Sequence, residues 1–180
     1  IVGTNALREA KNAHVFMEQA EKILGTPLEI ISGREEARLI YLGVSHTLAD
    51  DHGKRLVIDI GGGSTEFIIG ERFEPQELES LHMGCVSFTK RFFPDGVINE
   101  TRFNQAKTAA MQELLAIRGR YAELGWRNSV GSSGTIKAVR NALVSNGLSD
   151  EAITAQGLKK LEEKLLEFSS VDDIDLVDVK

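Results

Sequence analysis

The sequence predicts an α/β fold, a mixed sheet with flanking helices, and three observations predict it. Residues 55–60, RLVIDI, form a nearly continuous apolar run, and residues 65–70 and 76–83 follow as strand-like segments bounded by turn signals, which is the pattern of a three-stranded antiparallel meander. Apolar residues recur at helical spacing in residues 4–24, 33–48 and 100–124. A further strand at residues 126–130 passes through a glycine-containing turn straight into another helix, the element order of an α/β protein.

Taken in order, Ala6, Leu7, Ala10, Ala13, Phe16, Met17 and Ala20 predict one helix over residues 4–24, stopped by Gly25-Thr26-Pro27. Residues 28–31 form a short strand. Ser32 and Glu35 fit a capping box, in which the glutamate reaches back to the cap amide, and open a helix to Leu48 with Ala37, Ile40, Tyr41 and Val44 on its apolar face. Polar residues 49–54 are a loop before the first meander strand. After the meander, residues 84–93 read as a helix ended by Pro94-Asp95-Gly96, and the long helix over residues 100–124 keeps Phe103, Ala106, Ala110, Leu114, Ile117 and Tyr121 in phase. The second strand–helix unit runs to Ser145, another helix covers residues 154–168, and the acidic residues 171–180 form a tail that frays or leads into further chain.

A chain of 180 residues, 42% hydrophobic and 27% charged, can bury a sizeable core and has the composition of a soluble globular protein. No apolar run approaches the ~20 residues that span a bilayer, and the N-terminus lacks the basic-then-apolar pattern of a signal peptide. The single cysteine, Cys85, excludes an internal disulfide framework and a cysteine-based zinc cluster, so the expectation is a cytoplasmic protein. A net charge of −6 argues against general electrostatic capture of nucleic acid. It does not exclude an anionic substrate, because loop amides, helix N-termini and a divalent cation supply positive potential locally.

The chemistry concentrates in LVIDIGGGSTEFIIG, residues 56–70. Gly61, Gly62 and Gly63 let the backbone reach positive φ and approach an anion with no Cβ in the way. A tight hairpin is the alternative, although two glycines suffice for that. Asp59 interrupts an apolar strand, where an unpaired carboxylate is costly, so it either caps the turn amides or meets a metal, a hydrogen-bond network or a ligand. Glu66 lies across the turn and is placed to share a hydrated Mg²⁺ with Asp59 or to hold a water. A second glycine turn, Gly131-Ser132-Ser133-Gly134-Thr135, sits between a strand and a helix. It reads as an anion site or as an ordinary N-cap in which Ser132 or Ser133 satisfies the first-turn amides. The capping box makes Glu35 structural, whereas Glu36 stands at the edge of the apolar face, as a solvated glutamate or as a base pointing into a cleft. His14, His46, His52 and His82 show no ligand spacing, and Cys85 reads as a small buried apolar residue.

Five segments together resemble the exopolyphosphatase / guanosine pentaphosphate phosphatase family: TNALREAKN at residues 4–12, EIISGREEARLIYLGV at 29–44, LVIDIGGGSTE at 56–66, MGCVSF at 83–88 and GSSGT at 131–135. The resemblance implies the actin / sugar kinase / heat-shock ATPase superfamily, with two ribonuclease-H-like lobes around a cleft. Residues 1–32 would then be the truncated C-terminal end of the first lobe and residues 33–180 most of the second. It implies Glu36 as general base, Asp59 and Glu66 as acids that bind Mg²⁺ or position water, and Gly61, Gly62, Gly63 and Ser64 as a phosphate loop. Arg8 matches a phosphate-contacting arginine, Cys85 a position beside the phosphate, and Gly131, Ser132, Ser133, Gly134 and Thr135 the second phosphate loop.

The expected activity is removal of terminal phosphate from inorganic polyphosphate by water, with guanosine pentaphosphate as the alternative substrate. The intact GGGSTE run is closer to the exopolyphosphatase branch. The resemblance also implies a homodimer when full length. Half of the phosphate clamp would lie outside this chain, leaving a non-catalytic phosphate- or nucleotide-binding lobe as the reading from a different class, and a nucleotide-dependent kinase as a third.

Overall fold

A computed structural model describes residues 1–49 and 52–178. The predicted loop residues 50 and 51 and the tail residues 179 and 180 lie outside the described residues. In chain order the elements are β1 (Val2–Gly3), α1 (Asn5–Glu9), α2 (Ala13–Leu24), β2 (Glu29–Ile30), α3 (Gly33–Thr47), β3 (Arg55–Ile60), β4 (Thr65–Glu71) and β5 (Glu74–Leu81). They continue with α4 (Cys85–Phe92), α5 (Glu100–Leu124), β6 (Asn128–Ser132), α6 (Ser133–Ser145) and α7 (Ala155–Leu165).

The main sheet has the order β5-β4-β3-β6. β3, β4 and β5 form the predicted antiparallel meander, and β6 adds to the other side of β3 in parallel, so the sheet is mixed. Because side chains alternate across a strand, the two faces of the sheet carry different partners. On one face Val57 and Ile68 pack against Ala37 and Tyr41 of α3, with Leu78 beside them. On the other, Leu56, Ile69 and Leu81 pack against Ile117 and Tyr121 of α5. A third cluster, Ala142, Leu143 and Leu161, joins α6 to α7.

Four local expectations are corrected. The helix over residues 4–24 is two helices, because Ala10 takes an extended conformation (φ −74°, ψ 119°) and Asn12 starts α2. The apolar spacing runs through this break, so periodicity alone does not reveal it. β5 begins at Glu74, right after a turn in which Arg72 takes positive φ (54°), and ends two residues before Met83. β6 starts later than predicted and takes in Gly131 and Ser132, which pair with Ile58 and Asp59, so no loop separates it from α6. The acidic tail is docked through Asp178: Val171 N donates to Gly96 O at 2.9 Å, and Asn146 exchanges hydrogen bonds with the Val177 backbone. Residues 1–30 also hold a two-stranded parallel sheet, β1 with β2, that the sequence did not signal.

Tyr121 tests this packing. It is 4% exposed, and its hydroxyl donates to Phe67 O at 2.7 Å. Tyr121→Ala is expected to cost about 3–5 kcal/mol of stability and Tyr121→Phe about 1 kcal/mol, read from denaturant unfolding. An alanine variant within 1 kcal/mol of the parent (roughly the size of a single lost hydrogen bond) would contradict the packing of α5 on the sheet.

Candidate active site

The register of the sheet places four polar residues in one row on the α3 face. Ser80 pairs with Glu66, Glu66 with Asp59, and Asp59 with Ser132. The preceding row on the same face is Leu78, Ile68, Val57 and Val130. The apolar core therefore ends where the polar row begins, at the C-terminal ends of the parallel strands β3 and β6. Ligands bind at that end of α/β sheets as a rule.

Above the row stands the first turn of α3. Ser32 Oγ accepts the Glu35 amide at 3.2 Å, as the capping signal predicts. The other half of the capping box is absent: the Glu35 carboxylate turns outward to Arg38, at 2.7 and 2.8 Å, and that hydrogen bond pushes its pKa down. Glu36 is half-buried and meets Arg8, whose Nη2 donates to Glu36 Oε2 at 3.0 Å while Nη1 donates to Ile31 O at 2.7 Å. The two adjacent glutamates are thus separated, one toward solvent and one toward the acidic row.

Glu66 is 1% exposed. Its Oε1 accepts Ser64 Oγ at 2.7 Å and Ser80 Oγ at 2.8 Å. Burial raises its pKa, the two hydroxyls work against that shift, and the charges of Glu36 and Asp59 raise it further. The three carboxyl groups predicted from sequence are therefore gathered within electrostatic reach of one another.

The first glycine turn is held from beneath by α4. Gly61 O accepts the Cys85 amide, and Gly62 O accepts the amides of Val86 and Ser87, all at 2.9 Å. A Cβ at Gly84 would lie 2.5 Å from the Gly62 carbonyl and the Gly63 nitrogen, so only glycine allows this approach. None of Gly61, Gly62 and Gly63 takes positive φ, which corrects the conformational reason given for them. Space is the constraint at two of them: a Cβ at Gly63 would clash with the Asn5 side chain and one at Gly61 would lie 3.1 Å from Ser64 O, whereas one at Gly62 would make only ordinary contact with Val86. With carbonyls directed to α4, the amides of Gly62 and Gly63 have no hydrogen-bond partner among the described residues. The N-terminus of α4 is occupied by protein, and the backbone donors left without a partner among the described residues belong to the turn.

The second turn is a sharp strand-to-helix corner. Ser133 has φ 83° and its hydroxyl donates to Ile60 O at 3.1 Å, while Ser132, the N-cap residue of α6, makes no side-chain cap bond. The N-cap alternative is therefore not what the serines do, and the dipole end of α6 carries no side-chain acceptor. Thr135 Oγ1 lies 3.5 Å from Cys85 Sγ, which joins this corner to the first turn. Cys85 is exposed at the start of α4, not buried as its residue type suggested. Gly131 packs against Ile136, and Gly134 is open to solvent.

The donor set around the row consists of oxygens, carboxylates and hydroxyls, which suits a hard cation. Among the described residues no group of three or more His, Cys, Asp or Glu side chains forms a cage for a metal ion. The pair Asp59 and Glu66 fits Mg²⁺, which uses one or two carboxylates together with substrate phosphates and water. Ser80, Asn5 and Ser87 were missed in sequence. Of these, only Ser80 was reachable, by carrying the meander register from Glu66 to the third strand.

Comparison with known proteins accords with this geometry. The Ppx/GppA phosphatase family matches residues 1–180. A "Guanosine-5'-triphosphate,3'-diphosphate pyrophosphatase" from Vibrio campbellii is 47% identical over 98% of this chain, and one of the same name from Photobacterium profundum is 43% identical over 98%. The chain spans 35% of the length of these curated relatives. Among solved structures, the Aquifex aeolicus Ppx/GppA family member is 28% identical, with a TM-score of 0.72 over 93% of this chain and 55% of that one. An exopolyphosphatase from Cytophaga hutchinsonii, 23% identical, shares the fold with a TM-score of 0.82 over 99% of this chain and 60% of that one. The chain belongs to the Ppx/GppA phosphatase family.

Proposed function

We propose that this chain carries the general base and acidic row of a phosphohydrolase that removes the terminal phosphate of guanosine pentaphosphate. The observation that carries the reading is the juxtaposition of Glu36, held by Arg8, with the Asp59–Glu66 pair between two glycine-containing turns. The activity in the name of the 47%-identical relative directs the choice of substrate. It reverses the order drawn from the GGGSTE run, which placed polyphosphate first. That run, intact at residues 61–66, keeps inorganic polyphosphate as the second reading.

In this mechanism the amides of Gly62 and Gly63 and the N-terminus of α6 hold phosphate oxygens, while Ser64, buried with its hydroxyl on Glu66, ties the first turn to the acidic row. Cys85 and Thr135 close the space between the turns, where Cys85 lies beside the phosphate. Glu36 accepts the proton of a water whose oxygen attacks the terminal phosphorus in line. The bond from phosphorus to the bridging oxygen breaks, and its electron pair leaves with the shortened nucleotide. Arg8, which donates to Glu36, orients the base and offsets charge on the phosphate. Asp59 and Glu66 would hold Mg²⁺, which when bound neutralises charge on the phosphates. On the same reading residues 1–32 belong to a first lobe and residues 33–180 to most of a second, and the full-length protein acts as a cytoplasmic homodimer.

Full-length protein incubated with guanosine pentaphosphate and, separately, with polyphosphate tests the assignment. Phosphate release is expected to be faster from guanosine pentaphosphate, and Glu36→Gln is expected to lower kcat by about 10²–10⁴-fold. A Glu36→Gln variant with parental turnover would remove Glu36 as the base. Saturable binding without release by the parent would favour a binding lobe.

Glu66 gives a second test. Its folded-state pKa is raised, so its contribution to stability is greatest below its unfolded value and is lost as pH rises through the folded value. Glu66→Gln keeps an acceptor for Ser64 and Ser80 and removes the charge. In metal-free buffer its melting temperature is expected to exceed the parent's at pH 7, with the gap closing toward about pH 4, where the unfolded carboxyl protonates. A lower melting temperature at pH 7 would contradict the burial of this acid.

A further inference from the structure

We propose that Ser80 is a positioning residue for the reaction, setting both the orientation of the Glu66 carboxylate and its spacing from Glu36. The inference rests on the hydrolase reading above. Ser80 Oγ donates to Glu66 Oε1 at 2.8 Å, and Ser64 Oγ donates to the same oxygen at 2.7 Å. A hydroxyl has one proton to donate, so both are engaged on one side of the carboxylate. Oε2 has no hydrogen-bond partner among the described residues. Pinning Oε1 by two donors therefore determines which oxygen a cation or water encounters.

Ser80 also supports α3. A Cβ at Gly33, the first residue of α3, would lie 2.5 Å from Ser80 Cβ and 2.6 Å from its Oγ. The helix start rests directly on the serine, and Glu36 sits three residues further on. Arg8 Nη2, which holds Glu36, is 3.8 Å from the same point. Ser80 thus touches the acid of the sheet on one side and the backbone that carries the base on the other. A larger side chain at 80 would lift α3 from the row. An alanine would keep the packing and lose the donor, leaving the carboxylate held by Ser64 alone.

The test uses full-length parent, Ser80→Ala, and the isosteric pair Ser80→Thr and Ser80→Val, which differ in the hydroxyl. Mn²⁺ binding is titrated without substrate, kcat and KM are measured for guanosine pentaphosphate, and melting is recorded. Ser80→Ala is expected to lower Mn²⁺ affinity and kcat by about 10–100-fold, the usual range for a group that orients a ligand. KM is expected within about twofold of the parent, with a melting temperature within a few degrees of it, since no buried group is left unsatisfied at position 80. Ser80→Thr is expected to bind Mn²⁺ about tenfold more tightly than Ser80→Val. Parental Mn²⁺ affinity in Ser80→Ala, or equal affinities in the threonine and valine variants, would overturn the proposal, as would a loss of kcat explained by a lowered melting temperature alone. A parent that binds Mn²⁺ but releases no phosphate would overturn the hydrolase reading and leave the Mn²⁺ comparison to decide on Ser80.

Discussion

The site depends on the β3–β4 hairpin register, in which Asp59 faces Glu66 across the ladder. A shift of one residue would put Asp59 and Glu66 on opposite faces of the sheet and bring an apolar side chain into the acidic row. The register is fixed from both sides of the sheet: Val57 and Ile68 are fully buried under α3, and Leu56 and Ile69 under α5. Core packing one row away thus determines where the acids stand. Burying a carboxylate there is costly, and the two serine hydroxyls lessen that cost without neutralising the charge. The burial and the neighbouring charges that raise the Glu66 pKa are what a cation or a proton would relieve.

The glycines serve this arrangement through close approach. Gly84 lets the start of α4 lie against the first turn, which binds the turn's carbonyls and leaves the Gly62 and Gly63 amides without a partner among the described residues. Helix N-termini commonly hold anions. Here one N-terminus, that of α4, is occupied by the carbonyls of the first turn. The other, that of α6, starts directly from β6 and brings Thr135 beside Cys85. Two turns far apart in sequence share one cleft because β3 and β6 are neighbours in the sheet.

Much of this was legible in the residues. The apolar run around Asp59, the triple glycine, and the Ser32–Glu35 spacing that separated Glu35 from Glu36 all pointed to the site. The meander and the long α5 helix followed from local periodicity. What escaped depends on tertiary placement. Ser80 is an ordinary strand serine until register puts it opposite Glu66. The break at Ala10–Asn12 is invisible because apolar spacing continues on both sides of it. Cys85 looked like a core residue, yet the close approach of Gly84 to Gly62 sets it at the surface of the cleft. The parallel pairing of β1 with β2 joins the predicted strand at residues 28–31 to a two-residue segment, Val2–Gly3, too short to carry a strand pattern.

The most direct measurement is a crystal structure of the full-length protein with Mn²⁺ and an unreactive guanosine pentaphosphate analogue, with the metal located by its anomalous signal. The account predicts the terminal phosphate against the Gly62 and Gly63 amides and the first turn of α6, the metal against Asp59, and Glu36 facing the phosphorus. A phosphate seated elsewhere, with Glu36 turned from it and no metal at the Asp59–Glu66 row, would contradict it.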